Sequence, residues 1–213
     1  MSRRIYAVAL ALALTVVPLS GQISRYSSSG PLLPMLELRT GMNRSPIGVG
    51  AVVNTTREVG MNVGMSLVFP VAGDFSFSIG ANFSEKGLER TIGGVPTLFD
   101  LTYIEVPLLF RFGVLSAGPV SVSAIFGPSA GVKLDCSSSI VGPTPATDCS
   151  AAIHDYDISG VLGGGLDFGV NNRLTLGVDV TYNLGMRTIG AGALDGIMNS
   201  TMTVQSFVGF SVL

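Results

Sequence analysis

The sequence predicts an all-β protein, a single up-and-down antiparallel transmembrane β-barrel of about eight strands. Charged residues make up only 12% of the 213 residues, and the mean hydropathy is positive at +0.55. No apolar stretch of 18 residues or more follows the N-terminus, so no transmembrane helix is predicted in the mature chain. Hydrophobicity alternates with a period of two, and only helices and closed barrels satisfy their backbone groups in lipid.

The clearest alternation lies in residues 101–114. Its even positions are nearly all apolar, whereas both charged side chains, Glu105 and Arg111, fall on odd positions. Successive side chains of a strand point to opposite faces, so one face is apolar and the other is polar. The same division recurs in seven further segments, four of them weaker: 75–84, 173–184 and 201–212, then 36–42, 61–71, 120–134 and 158–170.

The predicted connections alternate in length. Short turns are expected at three places: 72–74, 115–119 and 171–172. Long connections are expected at four places: about 43–59, 90–100, 137–155 and 189–200. Short turns at one end and long loops at the other are typical of outer-membrane barrels, whose long loops face outward from the cell.

The N-terminus has the features of a secretory signal peptide over residues 1–21. Arg3 and Arg4 form a positive n-region, the apolar run 5–17 follows, and small residues lead to Gly21. The alternative is an N-terminal anchor helix, which the short apolar run disfavours. The remainder is predicted to comprise two parts, an N-terminal periplasmic segment and an outer-membrane barrel domain: 22–34 and 35–213.

The two cysteines, Cys136 and Cys149, flank most of the third long connection. An even cysteine count in an exported chain favours a disulfide, and two free thiols are the alternative. CxxC and Cys/His spacings are absent, so no metal site is predicted.

The polar face is predicted to line the lumen. It consists mostly of Gly, Ser, Thr and Asn, which suit a narrow interior better than a soluble surface. An eight-stranded barrel is just wide enough for side chains to fill it, and buried charges must pair. We therefore predict a plugged interior with a network of six charged residues: Glu105, Arg111, Lys133, Asp167, Asp179 and Arg187.

Four stretches resemble those of a known family. YIEVPLLFRFG at 103–113 is similar to the strand motif of the PorT-type outer-membrane β-barrel family, with its Tyr, Glu, Pro-Leu-Leu and basic residue in order. GANFSEKGL at 80–88 resembles the preceding strand, and GPSAGVKL at 127–134 and GVLGGGLDFGV at 160–170 resemble the following two. The resemblance implies the outer membrane of a Gram-negative bacterium. Family members are mostly of unknown function, and a few are associated with protein secretion.

The sequence offers little catalytic signal. Some small outer-membrane barrels are hydrolases, whose chemistry needs a base beside a nucleophile or an activated water. The single histidine, His154, lies next to Asp155 and near Ser150, without a G-x-S-x-G motif. A solvated loop histidine is the simpler interpretation. We expect no catalytic residue, no cofactor and no enzyme activity, and a hydrolase that uses His154 is a minor alternative.

A mixed-charge cluster is predicted at an external strand end: Glu85, Lys86, Glu89 and Arg90. It could contact lipopolysaccharide phosphates, but a solvated rim is the simpler interpretation because exposed ion pairs are worth little. A net charge of −2 argues against nucleic-acid binding. The expected partners are outer-membrane lipid and lipopolysaccharide, the barrel assembly machinery and a possible surface protein.

The sequence favours an outer-membrane protein with a structural or surface-interaction role and long external loops. The alternative is a narrow channel or a transport or secretion accessory, in which Glu105 and Arg111 line a polar track for a solute.

Overall fold

The computed structural model describes residues 33–44, 59–92, 94–140, 145–190 and 198–212. Nine strands lie within these ranges: β1 (Met35–Arg44), β2 (Val59–Ala72), β3 (Phe75–Ile92), β4 (Val95–Ala117), β5 (Val120–Ile140), β6 (Thr147–Asp148), β7 (Tyr156–Gly169), β8 (Leu174–Gly185) and β9 (Thr201–Ser211). A short 3₁₀ helix, Ser150–Ala152, follows β6. The predicted signal peptide lies outside the described residues.

The strands form one closed antiparallel sheet. Each long strand pairs with the next long strand along the chain, and β1 pairs with β9 to close the barrel. At this seam, Leu36 lies between Leu67 of β2 and Phe210 of β9. The predicted up-and-down barrel of eight strands is therefore confirmed, with β6 as a small addition at one end of β5.

No helix among the described residues is long and apolar enough to cross a membrane.

The barrel is apolar outside and polar inside. Each barrel strand exposes large apolar side chains, for example Leu38, Met65, Ile79, Leu108, Phe126, Leu162, Val178 and Val204. Each also buries polar side chains in the lumen, for example Glu37, Ser66, Ser76, Glu105, Ser123, Asp167, Asp179 and Thr203. Such an exterior suits lipid rather than water, and the faces agree with those that the alternation predicts.

The two ends of the barrel differ. The turn end carries the start of β1, the end of β9 and the short connections between β2 and β3, β4 and β5, and β7 and β8. The loop end carries the other connections. The predicted long connection at 90–100 is wrong, because β3 continues to Ile92 and β4 already begins at Val95. Gly94 has a φ of +85°, which a glycine adopts without strain, and it lets the two strands meet in a tight hairpin.

The predicted connection at 137–155 is also partly folded. Strand β5 continues to Ile140, and its residues Ser137 and Ser138 pair with β6. The chain then passes through the 3₁₀ helix before β7 begins. The loop end is therefore built from extended strands and an ordered segment rather than from open loops alone.

Gly163 in β7 supplies a test of how closely the barrel wall is packed. A Cβ built on Gly163 would overlap the backbone carbonyl oxygen of Val180 in β8. We expect Gly163→Ala to lower the free energy of unfolding by about 1–3 kcal/mol, because the two strands must separate. Gly160→Ala is the matched control in the same strand, since its Cβ would meet only the Met186 sulfur at 3.7 Å. Equal unfolding curves in urea for the two variants would contradict the prediction.

Candidate functional site

A network of charged side chains crosses the lumen near the turn end. We call it the turn-end network, and it consists of Glu37, Arg39, Arg111, Asp167 and Asp179. The Arg39 guanidinium forms ion pairs with Glu37 and Asp179. Arg111 Nη2 lies 2.7 Å from Asp179 Oδ2, and Arg111 Nη1 lies 3.2 Å from Asp167 Oδ1. Four strands, β1, β4, β7 and β8, are thus tied together across the barrel interior.

An aromatic ring packs against the turn-end network. Phe207 of β9 is buried, and the guanidinium carbons of Arg39 and Arg111 lie 5.2 Å and 5.6 Å from its ring centroid. A cation near an aromatic face is attracted by the ring quadrupole. Phe207 points inward because residue 207 continues the odd, lumen-facing positions of β9. Both guanidinium groups also bind Asp179 Oδ2, so a carboxylate and an aromatic face are shared by the two cations.

A second polar layer lies nearer the loop end. Lys86 Nζ lies 2.6 Å from Glu105 Oε1 and 5.6 Å from the centroid of the Tyr103 ring. The Asn199 side-chain amide donates to Asp157 Oδ2 at 2.9 Å. The structure therefore corrects the expected place of Lys86. It is 3% exposed and lies inside the barrel, not on a solvated rim.

Amides and hydroxyls fill the lumen between the charged layers. Asn43 donates to Ser84 Oγ at 2.8 Å and accepts from Thr203 Oγ1 at 2.8 Å, and Gln205 donates to Asn62 Oδ1 at 2.6 Å. The free space left beside these groups is small, about 30 Å³ for a water-sized sphere. A cavity of that size has room for about two waters.

An apolar cluster covers the lumen at the loop end. We call it the cap, and it contains Phe99, Leu101, Tyr103, Cys136, Cys149, Ile153 and Ile189. The first three belong to β4, and Ile153 and Ile189 come from the connections after the 3₁₀ helix and after β8. The predicted pair Cys136 and Cys149 forms a disulfide with a Cα–Cα distance of 5.3 Å. The disulfide fixes the start of the covering segment to β5.

Polar contacts also hold the segment of residues 145–155 in place. Lys133 donates to the carbonyl oxygens of Ser150, at 2.7 Å, and Ile153, and its Nζ lies 3.2 Å from Asp155 Oδ1. The Ser150 N–H donates to the Asp148 carboxylate at 2.8 Å, and this hydrogen bond lowers the pKa of Asp148 below its ordinary value. The chain is thus held over the lumen by both its backbone and its side chains.

The structure brings together three of the six charged residues predicted to form one network, Arg111, Asp167 and Asp179. Glu105 pairs with Lys86 in the second layer instead. Lys133 holds the cap segment, and the structure places Arg187 on the ring of Tyr156 at 3.9 Å, near the loop end. These two cations therefore lie apart from the turn-end network.

Sequence reasoning missed Glu37, Arg39 and Phe207. The alternation in residues 36–42 carries the signal for the first two, because odd positions there fall on the polar face. Phe207 interrupts the polar face with an apolar residue, and that interruption is its only signal.

His154 does not join a catalytic arrangement with its neighbours. Its backbone N–H donates to the Ile189 carbonyl oxygen at 2.7 Å. Among the described residues, no hydrogen bond joins the imidazole to Ser150 or Asp155, which instead contact Lys133. Within the same part of the chain, no three His, Cys, Asp or Glu side chains converge to hold a metal ion.

A family model described as the outer membrane protein beta-barrel domain matches residues 26–187. A search of the curated proteins found no match. Among solved structures, the chain is similar to outer membrane protein W of E. coli, at 12% identity and a TM-score of 0.50, over 86% of this chain and 100% of that one. It is likewise similar to OprG from Pseudomonas aeruginosa, at 12% identity and a TM-score of 0.50, over 84% and 93% of the two chains. These two likenesses concern the fold alone.

Proposed function

The chain belongs to the outer membrane protein beta-barrel domain family, and we propose that it is an outer-membrane barrel with a closed lumen and a structural or surface-interaction role. The observation that carries this proposal is the double closure of the lumen. Ion-paired layers cross the interior, and the cap covers its loop end. An eight-stranded barrel filled in this way has no continuous path for solutes.

We further propose that the loop end faces the cell exterior of a Gram-negative bacterium, after removal of a signal peptide at residues 1–21. The short turns at the other end support this orientation, because outer-membrane barrels have short periplasmic turns. The motif at 103–113 supports the narrower PorT-type assignment. The proposed contacts are lipopolysaccharide around the barrel, the assembly machinery during insertion and a surface protein partner at the loop end.

The ordered segment at 145–155 supports a surface role. A disulfide, the Lys133 contacts and the apolar cluster all hold residues 145–155 in one position. A surface that is ordered before binding loses less conformational entropy when a partner docks. We therefore expect a surface partner to bind less tightly when the cap segment is released.

Single-channel recording in planar bilayers tests the closed lumen. We expect the refolded mature chain to migrate as a heat-modifiable band and to remain electrically silent, because both layers and the cap block ions. Steady conductance from a correctly folded sample would contradict the proposal and favour a narrow channel. In that case Glu105→Gln and Arg111→Gln should change the conductance, since both side chains lie in the lumen.

The small cavities in the lumen favour the channel as the second candidate. One lies between the two charged layers, and another, of about 50 Å³ for a water-sized sphere, opens beside Arg111 at the turn end. Both are lined mainly by polar residues, as a path for a hydrated solute would be. The hydrolase alternative is tested separately by lipid and peptide turnover, which His154→Ala should abolish if it exists.

A further inference from the structure

The layer below the cap contains side chains that converge on one glycine. A Cβ built on Gly131 would lie 3.5 Å from Glu105 Cγ, 3.5 Å from Tyr103 Cδ1 and 3.9 Å from Asp157 Cβ. Carbon atoms of three side chains that carry oxygens, from β4 and β7, therefore lie within 4 Å of a point where β5 carries no side chain. We call these residues, together with Lys86, the loop-end polar cluster.

The charges of this cluster do not balance. Lys86 is paired with Glu105 at 2.6 Å, and Asp157 Oδ2 is held by the neutral amide of Asn199. Lys133, two residues from Gly131 in β5, pairs with Asp155 and with carbonyl oxygens of the cap segment instead. Within the cluster one ammonium thus faces two carboxylates, and Lys86, Glu105 and Asp157 are all buried to at least nine-tenths. A buried carboxylate without a compensating charge is costly, so the cluster requires one further positive charge.

Two oxygens in the cluster have no hydrogen-bond partner among the described residues. They are Asp157 Oδ1 and the Tyr103 hydroxyl, and Tyr103 is completely buried. A third unpartnered oxygen, Thr201 Oγ1, lies two residues along the chain from Asn199. Buried polar atoms in folded proteins are nearly always satisfied, so these oxygens indicate a missing partner. The apolar cap separates them from water at the loop end.

We propose that the loop-end polar cluster binds one small monovalent cation, such as Na⁺, between Asp157, Tyr103 and Glu105. Carboxylate and hydroxyl oxygens are suitable ligands for hard cations. A single positive charge cancels the excess of one carboxylate and also gives the unpartnered oxygens a ligand. The site goes beyond the proposed role of the barrel and does not depend on it.

Thermal unfolding of the barrel in detergent tests the site. Unfolding is monitored by the loss of the heat-modifiable band on gels. The midpoint in NaCl is compared with that in N-methyl-D-glucamine chloride at equal ionic strength, because the organic cation is too large to enter. We expect Na⁺ to raise the midpoint by about 2–4 °C in a saturable manner. Asp157→Asn should abolish this response, whereas Asp100→Asn, an exposed carboxylate in β4, should retain it.

Tyr103→Phe removes one ligand oxygen and keeps both carboxylates, so its response should require several-fold more Na⁺. Equal midpoints of the wild-type chain in the two salts would overturn the proposal and indicate that a proton neutralises the cluster. The comparison of the two salts uses the wild-type chain, so it tests the cation site even if Asp157→Asn does not fold. Electrical silence or conductance in bilayers has no bearing on it, so failure of the cation site and failure of the proposed function remain distinguishable.

Discussion

Arg111→Met should lower the free energy of unfolding of the barrel by about 3 kcal/mol, the lower end of the cost of removing one partner of a buried ion pair, because the Arg111 side chain is 17% exposed. The Met side chain preserves the apolar stem but leaves Asp167 without its guanidinium and Asp179 with Arg39 alone. The contact with the ring of Phe207 is also lost. Urea unfolding in detergent micelles, read from the folded band on gels, measures the change.

Arg173→Met is the matched control, because Arg173 is exposed in the turn between β7 and β8. It should change stability by no more than about 0.5 kcal/mol. The double variant Arg111→Met with Asp167→Asn should recover part of the loss, since it removes a carboxylate whose ion pair with Arg111 is already broken. If Arg111→Met unfolds at the same urea concentration as the control, the turn-end network does not hold the barrel together.

Ile189→Asp should release the cap. Ile189 is completely buried in the apolar cluster, and a carboxylate there would lie among apolar side chains. The segment at 145–155 should therefore open, while the ion-paired layers below it remain. We expect the rate of limited proteolysis within this segment to rise about 100-fold, because cleavage follows the population of the open state.

Ala151→Asp places the same charge directly on the segment at 145–155, at an exposed position of the 3₁₀ helix. Its proteolysis rate should match that of the wild type. The folded band of Ile189→Asp should persist, which would separate loss of the cap from loss of the barrel. Protection of the segment in Ile189→Asp would mean that the disulfide and Lys133 suffice to hold it.

The fold could be predicted from the sequence because one local rule governs every strand. Lipid outside and a narrow polar lumen inside impose period-two alternation, and that pattern is visible without knowledge of the partners. The same rule even covers Lys86, since even positions of β3 face inward from residue 76 onward. Its rim assignment was wrong because the strand was predicted to end before residue 86.

The contacts within the lumen could not be predicted in the same way. Alternation shows that Arg39, Arg111 and Asp179 face inward, but their pairing depends on the register of strands far apart in the chain. Lys133 also occupies an inward position, yet the carbonyl groups of a folded connection bind it. A register shift between Thr102 and Tyr103 accompanies that region of β4 and β5. Irregularities of this kind leave no mark in a hydrophobic pattern.

The position of Asp179 has a consequence for how the protein assembles. Its carboxylate accepts hydrogen bonds from Arg39, which precedes it by 140 residues, and from Arg111, which precedes it by 68. Both arginines belong to strands that are synthesised before β8, so neither has this partner until the penultimate strand arrives. Before β8 is in place, Arg39 has only Glu37 and Arg111 has only Asp167 as an ion-pair partner, and completion of the sheet gives both arginines Asp179 as well. We therefore expect an intermediate that lacks β8 and β9 to be less stable than the closed barrel, because two arginines then lack their shared partner.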